Sequence, residues 1–220
     1  MSQRLSTFRP VNARVRRSTA AWIVPLGVVA WSVWPVSASA QVAGPPVAKV
    51  GDRWAFAVYY TVPTAVPSRT WVVTAVSREG ILASEDGEPV RLTRELNVLE
   101  TPRTRDSNPR LLAFPMKVGD RWTYTTDWVF KPKASNGRSV VEVVVAAHEK
   151  VTVPAGEFDA FRLTSTEVLS GTSPIGSQYG GEIVRTYWYA PAARAIVKSI
   201  TRNPYLGPST VELVEVVLQP

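Results

Sequence analysis

The chain has 220 residues, no cysteine and a formal net charge of +7. The absence of cysteine excludes disulfide cross-links, thiol catalysis and cysteine-based metal sites. Five of the 25 basic residues and none of the 18 acidic ones lie in residues 1–40, which leaves 20 bases against 18 acids in the rest of the chain. This near balance argues against a nucleic-acid-binding surface.

Residues 1–40 have the three-part pattern of a secretory signal peptide. A basic segment precedes a charge-free apolar run from about Ala20 to Val36, and Ala38-Ser39-Ala40 supplies the small residues that signal peptidase accepts. We expect a signal-peptide helix, cleavage after Ala40, and a periplasmic or secreted protein of a Gram-negative bacterium. The alternative is an uncleaved membrane anchor, because the apolar run is close to the ~17-residue lower limit of a membrane span.

A repeated pentapeptide organises the remainder. Residues 41–48 form an extended lead-in, and residues 49–220 are long enough for a single β domain. The sequence Val-Gly-Asp-Arg-Trp occurs as Val50–Trp54 and again as Val118–Trp122. Glycine accepts positive φ at a turn, aspartate hydrogen-bonds its own backbone there, and tryptophan begins a buried strand face. The repeat therefore predicts two duplicated meander halves, about 49–100 and 117–218.

Short segments of alternating apolar residues follow each pentapeptide, and no segment between them has a convincing helical period. Asp86-Gly87 and Ser135-Asn136-Gly137 carry hairpin signals, whereas Thr101–Arg110 and Gly171–Gly181 are predicted to be loops. The second loop could be an ordinary connector or a lid over a cavity. Roughly nine to eleven short strands predict an all-β fold, with a curved antiparallel sheet that forms an open β-barrel or a sandwich.

Large aromatic side chains are abundant in these strands. Most must lie in the core, because buried rings contribute strongly to stability. Strands with apolar residues on both faces, such as Trp54–Tyr60 and Arg185–Tyr189, indicate that one sheet face meets a second sheet, a partner or an apolar ligand. The candidate ligand-binding residues are Trp54, Trp71, Trp122, Tyr124, Trp128, Tyr187, Trp188 and Tyr189.

Candidate catalytic residues are few. His148, the one histidine, could act as a general base, but the chain has no Gly-x-Ser-x-Gly nucleophile turn to accompany it. Glu157 and Asp159 would share one strand face, as glycosidase carboxylates or calcium ligands could, but the Asp-rich calcium loop is absent. A structural histidine and two solvated carboxylates are the better interpretation. We therefore predict no enzyme activity, no cofactor and no metal.

Two further charged groups have plain structural explanations. The Asp-Arg pairs at residues 52–53 and 120–121 could be a duplicated ion site, but aspartate as a turn cap with arginine on the outer face explains them better. Arg103, Arg105 and Arg110 could attract an acidic partner, although Asp106 interrupts them and a solvated loop is the simpler interpretation.

The second half also carries motifs with a family resemblance. Val151–Phe161 (VTVPAGEFDAF), Thr186–Pro191 (TYWYAP) and the VGDxW strand start resemble a widespread family of uncharacterised exported β-proteins of Gram-negative bacteria. That family places a glycine-containing turn where this chain has Ala192-Ala193-Arg194. The match covers about residues 117–202. It implies location in the cell envelope and an open or half-closed barrel of the kind that carries lipids across the periplasm, and it supplies no catalytic residues.

Three hypotheses of function follow. The first is an exported envelope protein that binds an apolar or lipid-like ligand on a curved sheet. The second is an accessory protein that docks on an envelope assembly through a sheet edge or an aromatic patch. The third and weakest is a hydrolase. An apolar small molecule or an envelope protein is the expected partner, and nucleic acid is not.

Overall fold

The structure is a computed structural model that describes residues 41–60, 69–204 and 207–220. The predicted signal peptide lies outside these residues. Within them are fourteen β-strands and two short 3₁₀ turns, η1 (Lys131–Lys133) and η2 (Pro191–Ala193). The strands are β1 (Val42–Ala43), β2 (Arg53–Tyr60), β3 (Arg69–Val76), β4 (Ile81–Glu85), β5 (Glu88–Leu92), β6 (Val98–Glu100), β7 (Thr104–Asp106), β8 (Met116–Lys117), β9 (Arg121–Phe130), β10 (Ser135–Val153), β11 (Gly156–Thr172), β12 (Gln178–Ala190), β13 (Ala195–Asn203) and β14 (Gly207–Val217).

Twelve of the described strands form a closed antiparallel barrel. It consists of two six-stranded meanders, β2 to β7 and β9 to β14, that meet at the β14–β2 and β7–β9 seams. The prediction of an all-β antiparallel fold is confirmed, and the curved sheet closes completely. The remaining two strands, β1 and β8, pair with each other. No helix in the described ranges is both long enough and apolar enough to cross a membrane.

Each meander begins with one pentapeptide, and both copies make the same backbone contacts. Gly51 and Gly119 have φ values of 89° and 93°, which favour glycine. Their amides donate to the carbonyls of Val73 and Val145, both at 2.9 Å. Each of these valines lies at a β-bulge, in β3 and in β10, and its own amide donates back to the pentapeptide aspartate carbonyl. The two turns are therefore local structural equivalents, while duplication of the whole halves stays a prediction.

The long β10–β11 hairpin reaches across one end of the barrel. Its tip is the turn at Pro154 and Ala155, and the Ala155 amide donates to the Leu213 carbonyl of β14 at 3.1 Å. Val151, Val153 and Ala160 of this hairpin are buried with Trp54 and the alanines around η2. A hydrophobic core cluster thus closes this end of the barrel.

The segment between β7 and β8 enters the lumen. Leu112 is 2% exposed, and its amide and carbonyl form reciprocal hydrogen bonds with the side chain of Asn97 at 2.7 and 2.9 Å. Phe114 packs edge-on against Tyr189 with ring centroids 5.3 Å apart, and Met116 is fully buried nearby. The second core cluster is therefore completed by a connecting segment as well as by strands.

The predicted Asp86-Gly87 hairpin is confirmed, because both residues have positive φ and join β4 to β5. The prediction of a hairpin turn at Ser135-Asn136-Gly137 is wrong. The chain reverses at η1 and Ala134 (φ 46°), and β10 already begins at Ser135. Glycine is required at 137 because a Cβ there would overlap the Trp128 ring and the Ser170 carbonyl, which is a packing demand between strands and not a turn signal.

Two predicted loops are also corrected. Gly171–Gly181 is not a lid, because β11 continues to Thr172 and β12 starts at Gln178, which leaves a five-residue turn. Within Thr101–Arg110, residues Thr104–Asp106 form β7, the strand that closes the barrel against β9. Both segments are rich in residues typical of loops, and the pairing of neighbouring strands overrides this local preference.

Candidate functional site

The barrel contains a partly open apolar cavity of about 230 Å³ on the side of β2, β3 and β14. Its walls come from inward-facing side chains of both meanders and from the segment that enters the lumen. Lining residues include Trp54, Phe56, Val58, Trp71, Leu92, Leu96, Val98, Leu112, Tyr187, Ile196 and Val211. Such a surface contacts an apolar molecule without leaving polar groups unpaired.

The volume of this cavity limits the size of an occupant. An engineered apolar cavity of about 150 Å³ binds benzene, whereas pockets for drug-sized ligands begin near 300 Å³. At about 230 Å³ the cavity holds a small apolar molecule or part of one acyl chain. It is too small for a lipid with two chains.

Phe56 of β2 and Arg69 of β3 are cross-strand partners beside the cavity. Arg69 and Glu85 line the cavity at this place and form an ion pair of 3.5 Å. The Arg69 side chain is 45% exposed, so it connects the apolar interior to solvent.

A polar cluster occupies the lumen face of β9 to β12. Glu167 forms an ion pair with Arg185 and accepts a 2.6 Å hydrogen bond from the Ser139 hydroxyl. Glu167 lies on the same face of β11 as the buried Leu163, Ser165 and Leu169, so it faces inward. The Glu167 and Arg185 side chains keep 14% and 26% exposure. Solvent therefore reaches this part of the lumen.

Asp106 on β7 adds a second carboxyl to this polar cluster. Burial and, to a smaller extent, the negative charge of Glu167 raise the pKa of Asp106 to about 6. A hydrogen bond with Thr126 and the positive charge of Arg185 oppose this shift in the pKa. Asp106 thus titrates close to neutral pH, which exposed aspartates do not.

Two tyrosines complete the polar cluster. Burial raises the pKa of both the Tyr124 and the Tyr187 hydroxyls, so both are neutral donors at physiological pH. Tyr187 also lines the apolar cavity. It is therefore the residue at which the apolar and polar parts of the lumen meet.

The eight predicted ligand-binding aromatics are not all brought together. Trp54, Trp71 and Tyr187 line the cavity, and Tyr124 belongs to the polar cluster. The other four lie elsewhere, in positions with structural explanations: Trp122, Trp128, Trp188 and Tyr189.

Trp122 donates its indole N–H to the Arg110 carbonyl at 2.7 Å, and Tyr189 is 1% exposed in the core beside Phe114. Trp188 hydrogen-bonds Glu149 at 2.8 Å and lies 5.9 Å from the Lys198 ammonium. These contacts hold the three rings within the folded barrel and away from the cavity.

Trp128 lies on a surface made by two glycines. Gly137 and Gly171 are direct cross-strand neighbours, and a Cβ at residue 171 would come within 2.8 Å of the Trp128 ring and 2.7 Å of Tyr179. The buried Trp128 indole nitrogen has no hydrogen-bond partner among the described residues. The two glycines therefore make room for this ring.

Sequence reasoning missed the aliphatic lining and the cluster of Asp106, Glu167 and Arg185. The signal for Glu167 and Arg185 was present, because each falls on the apolar parity of its strand, as Leu163 and Tyr187 do. Charged residues at inward positions of a barrel strand are unusual enough to mark a site.

The catalytic candidates are placed apart. His148 packs edge-on against Phe161 with centroids 4.7 Å apart, and Glu157 forms an exposed ion pair with Lys150 at 2.6 Å. In the described part of the chain, no group of three or more histidine and carboxylate side chains could hold a metal ion. In both pentapeptides the aspartate caps its turn, and Arg53 lies outside in an ion pair with Glu215.

Comparisons with known proteins show a likeness of fold. No protein-family model matches the chain, and no curated protein matches it. Among solved structures, a protein of Parabacteroides distasonis described as a lipoprotein has a TM-score of 0.50 and 13% identity over 79% of this chain and 97% of its own. It shares the all-β architecture.

Two other solved structures are similar at lower scores. A Bacteroides fragilis protein, described as exported and of YmcC-like fold, has a TM-score of 0.48 and 16% identity over 80% of this chain and all of its own. The hypothetical lipoprotein YmcC of Escherichia coli has a TM-score of 0.45 and 15% identity over 78% of this chain and 85% of its own.

Proposed function

We propose that the protein is exported to the cell envelope and binds a small apolar molecule, or one apolar chain of a larger molecule, in the lumen of its barrel. The observation that carries this proposal is the apolar cavity of about 230 Å³ lined by Trp54, Trp71 and aliphatic side chains. The signal-peptide pattern of residues 1–40 supports export. The description of the Parabacteroides neighbour as a lipoprotein supports the same compartment.

The energetic argument is that an apolar void lacks contact atoms on one side of its walls. An occupant restores these dispersion contacts and removes its own apolar surface from water, at roughly 25 cal/mol per Å². Trp54 and Trp71 are cross-strand neighbours, so their rings offer a large and rigid contact surface. Binding therefore requires little ordering of the protein, which favours affinity.

The first test is native mass spectrometry of the protein purified from the envelope of its own host, followed by solvent extraction. A reproducible added mass that extracts as an apolar molecule supports the proposal. A bare protein mass in several mild preparations contradicts it.

A second test fills the cavity. Val58 is 4% exposed and lines the cavity, so Val58→Phe should abolish binding of decanol, measured by the change in tryptophan fluorescence. Val140→Phe on the outer face, where Val140 is 47% exposed, is the matched control and should bind decanol normally. Equal binding by both variants would place the ligand outside the cavity.

The accessory-protein hypothesis keeps one supporting observation. Val140 and Val168 are direct cross-strand partners on the outer face, 47% and 57% exposed. Docking by a sheet edge has less support, since the twelve described barrel strands all have neighbours on both sides. Cross-linking in intact envelopes would detect a partner, and the paired variant Val140→Ser with Val168→Ser should then lose it.

A further inference from the structure

The lumen has a polar cluster as well as an apolar cavity, and the two are neighbours along β12. Tyr187 lines the cavity, and Arg185 is the next inward-facing residue of β12, about 7 Å along the strand. Arg185 pairs with Glu167, and the charge of Glu167 acts in turn on Asp106. A molecule with its apolar part in the cavity would therefore extend toward these groups.

The carboxylates are the acidic acceptors of the polar cluster. Glu167 accepts from the Arg185 guanidinium and from the Ser139 hydroxyl. Because each ionised carboxylate offers about four lone-pair positions, Glu167 and Asp106 have acceptor positions for a donor on a ligand.

Charge points in the same direction. Arg185 is paired with Glu167, whereas Asp106, the cross-strand partner of Trp128, has no ion pair in the described part of the chain. An anionic head group at Arg185 would add a further negative charge beside these two carboxyl groups. A cationic or hydroxyl-bearing group meets no such cost.

We infer that the ligand is an amphiphile whose polar end is an ammonium or hydroxyl group, and that the carboxyl groups of Asp106 and Glu167 accept hydrogen bonds from it. This inference rests on the proposed function, because the apolar part of the same molecule occupies the cavity. Asp106 is then a ligand-binding residue for the head group, and Arg185 is a positioning residue that holds Glu167 toward the lumen.

The test compares three single-chain probes of equal length, decylammonium, decanol and decanoate, by tryptophan fluorescence at a pH above about 7. We expect decylammonium to bind most tightly and decanoate most weakly. Asp106→Asn should weaken decylammonium binding about ten-fold and leave decanol binding within about two-fold, because the variant removes the charge and keeps the shape. Asp127→Asn, on the outer face of β9 with a 58% exposed side chain, is the matched control and should change neither.

The outcomes separate the two proposals. If all three probes bind equally, or decanoate binds best, the inference about the head group is overturned while the cavity proposal stands. If no probe binds, the proposed function itself fails. The order of the three probes on the unaltered protein gives an answer even if Asp106→Asn does not fold.

Discussion

The two pentapeptides have the same sequence and the same turn, but their aspartates have different surroundings. In both copies a carboxylate oxygen accepts from the lysine amide three residues earlier, at 2.9 Å. Asp52 is fully buried. Its carboxylate also accepts from the Arg194 guanidinium at 2.9 Å and from the backbone amide of Gln219 at 2.8 Å. Asp120 is half-buried, and no ion pair to it occurs among the described residues.

This difference shows that a short motif determines the local backbone geometry but does not determine how much it contributes to the free energy of unfolding. The first copy lies under η2 and the segment after β14, which both reach it from distant parts of the sequence. Among the described residues, the second copy has no equivalent cover. How much each motif contributes to the free energy of unfolding therefore depends on the contacts that surround it. Equivalent substitutions in the two copies should have different effects.

The largest loss of stability is expected for the aspartate of the first copy. Asp52→Ala leaves the Arg194 guanidinium and the Gln219 amide without a partner, so we expect a loss of about 3 kcal/mol in the free energy of unfolding. Asp120→Ala removes only a turn cap and should cost about 1 kcal/mol. Urea unfolding followed by fluorescence measures both, and equal losses would show that the cover over Asp52 is energetically unimportant.

A second difference is expected at the two 3₁₀ turns. Each ends in a non-glycine residue of positive φ, Ala134 at 46° and Arg194 at 50°. Ala134→Gly relieves this strain at an exposed site and should stabilise the protein by about 0.5 kcal/mol. Arg194→Gly also relieves strain but leaves Asp52 unpaired, and should destabilise it by about 2 kcal/mol. Stabilisation by both variants would disprove a role for the ion pair.

The pentapeptide tryptophans should differ less. Trp54 is 2% exposed and donates its indole N–H to the Ala193 carbonyl at 2.8 Å, and Trp122 makes the same kind of bond to Arg110 in a more exposed place. Trp54→Phe leaves a buried carbonyl unpaired and should cost between about 1 and 2 kcal/mol. In Trp122→Phe, water can replace the hydrogen bond to the Arg110 carbonyl. The urea midpoint of this variant should therefore move by less than half as much as that of Trp54→Phe.

The smallest effect contrasts Asp52, which is paired with Arg194, with Asp106, which has no ion pair within the described ranges. Asp106 faces Glu167 from β11, Arg185 from β12 and Thr126 from β9, and its pKa is raised from 3.8 to about 6. The folded state therefore holds the proton more tightly than the unfolded state, and stability falls as pH rises from about 4 through 6. Asp106→Asn should remove this decline and add at most about 1 kcal/mol at neutral pH. Unchanged pH profiles of the urea midpoint would contradict the expectation.

The fold could be predicted from the sequence where the cause is local. The pentapeptide turns and the Asp86-Gly87 hairpin depend on residues adjacent in sequence, and both form as expected. Gly137 failed as a turn signal because the ring that demands a glycine there belongs to Trp128 on the neighbouring strand. No local pattern contains that information.

The candidate site was predictable only in part, for a similar reason. Trp54, Trp71 and Tyr187 line the cavity, but aromatic content does not say which rings line a void and which fill the core. Trp188 shows this, because its indole N–H donates to Glu149, which lies on β10, two strands earlier in the chain. The inward positions of Glu167 and Arg185 could be predicted from the two-residue period of their strands, because each shares its face with apolar residues.

The β14–β2 seam has a consequence for how the protein is made. Arg53 on β2 and Glu215 on β14 are joined by an ion pair although they are 162 positions apart. The pairing of β2 with β14 can therefore form only after almost all of the chain has emerged. Contacts of such long range in sequence slow folding. During export the early strands would have an unpaired edge open to aggregation, so a holding chaperone should be needed until the β14–β2 seam forms.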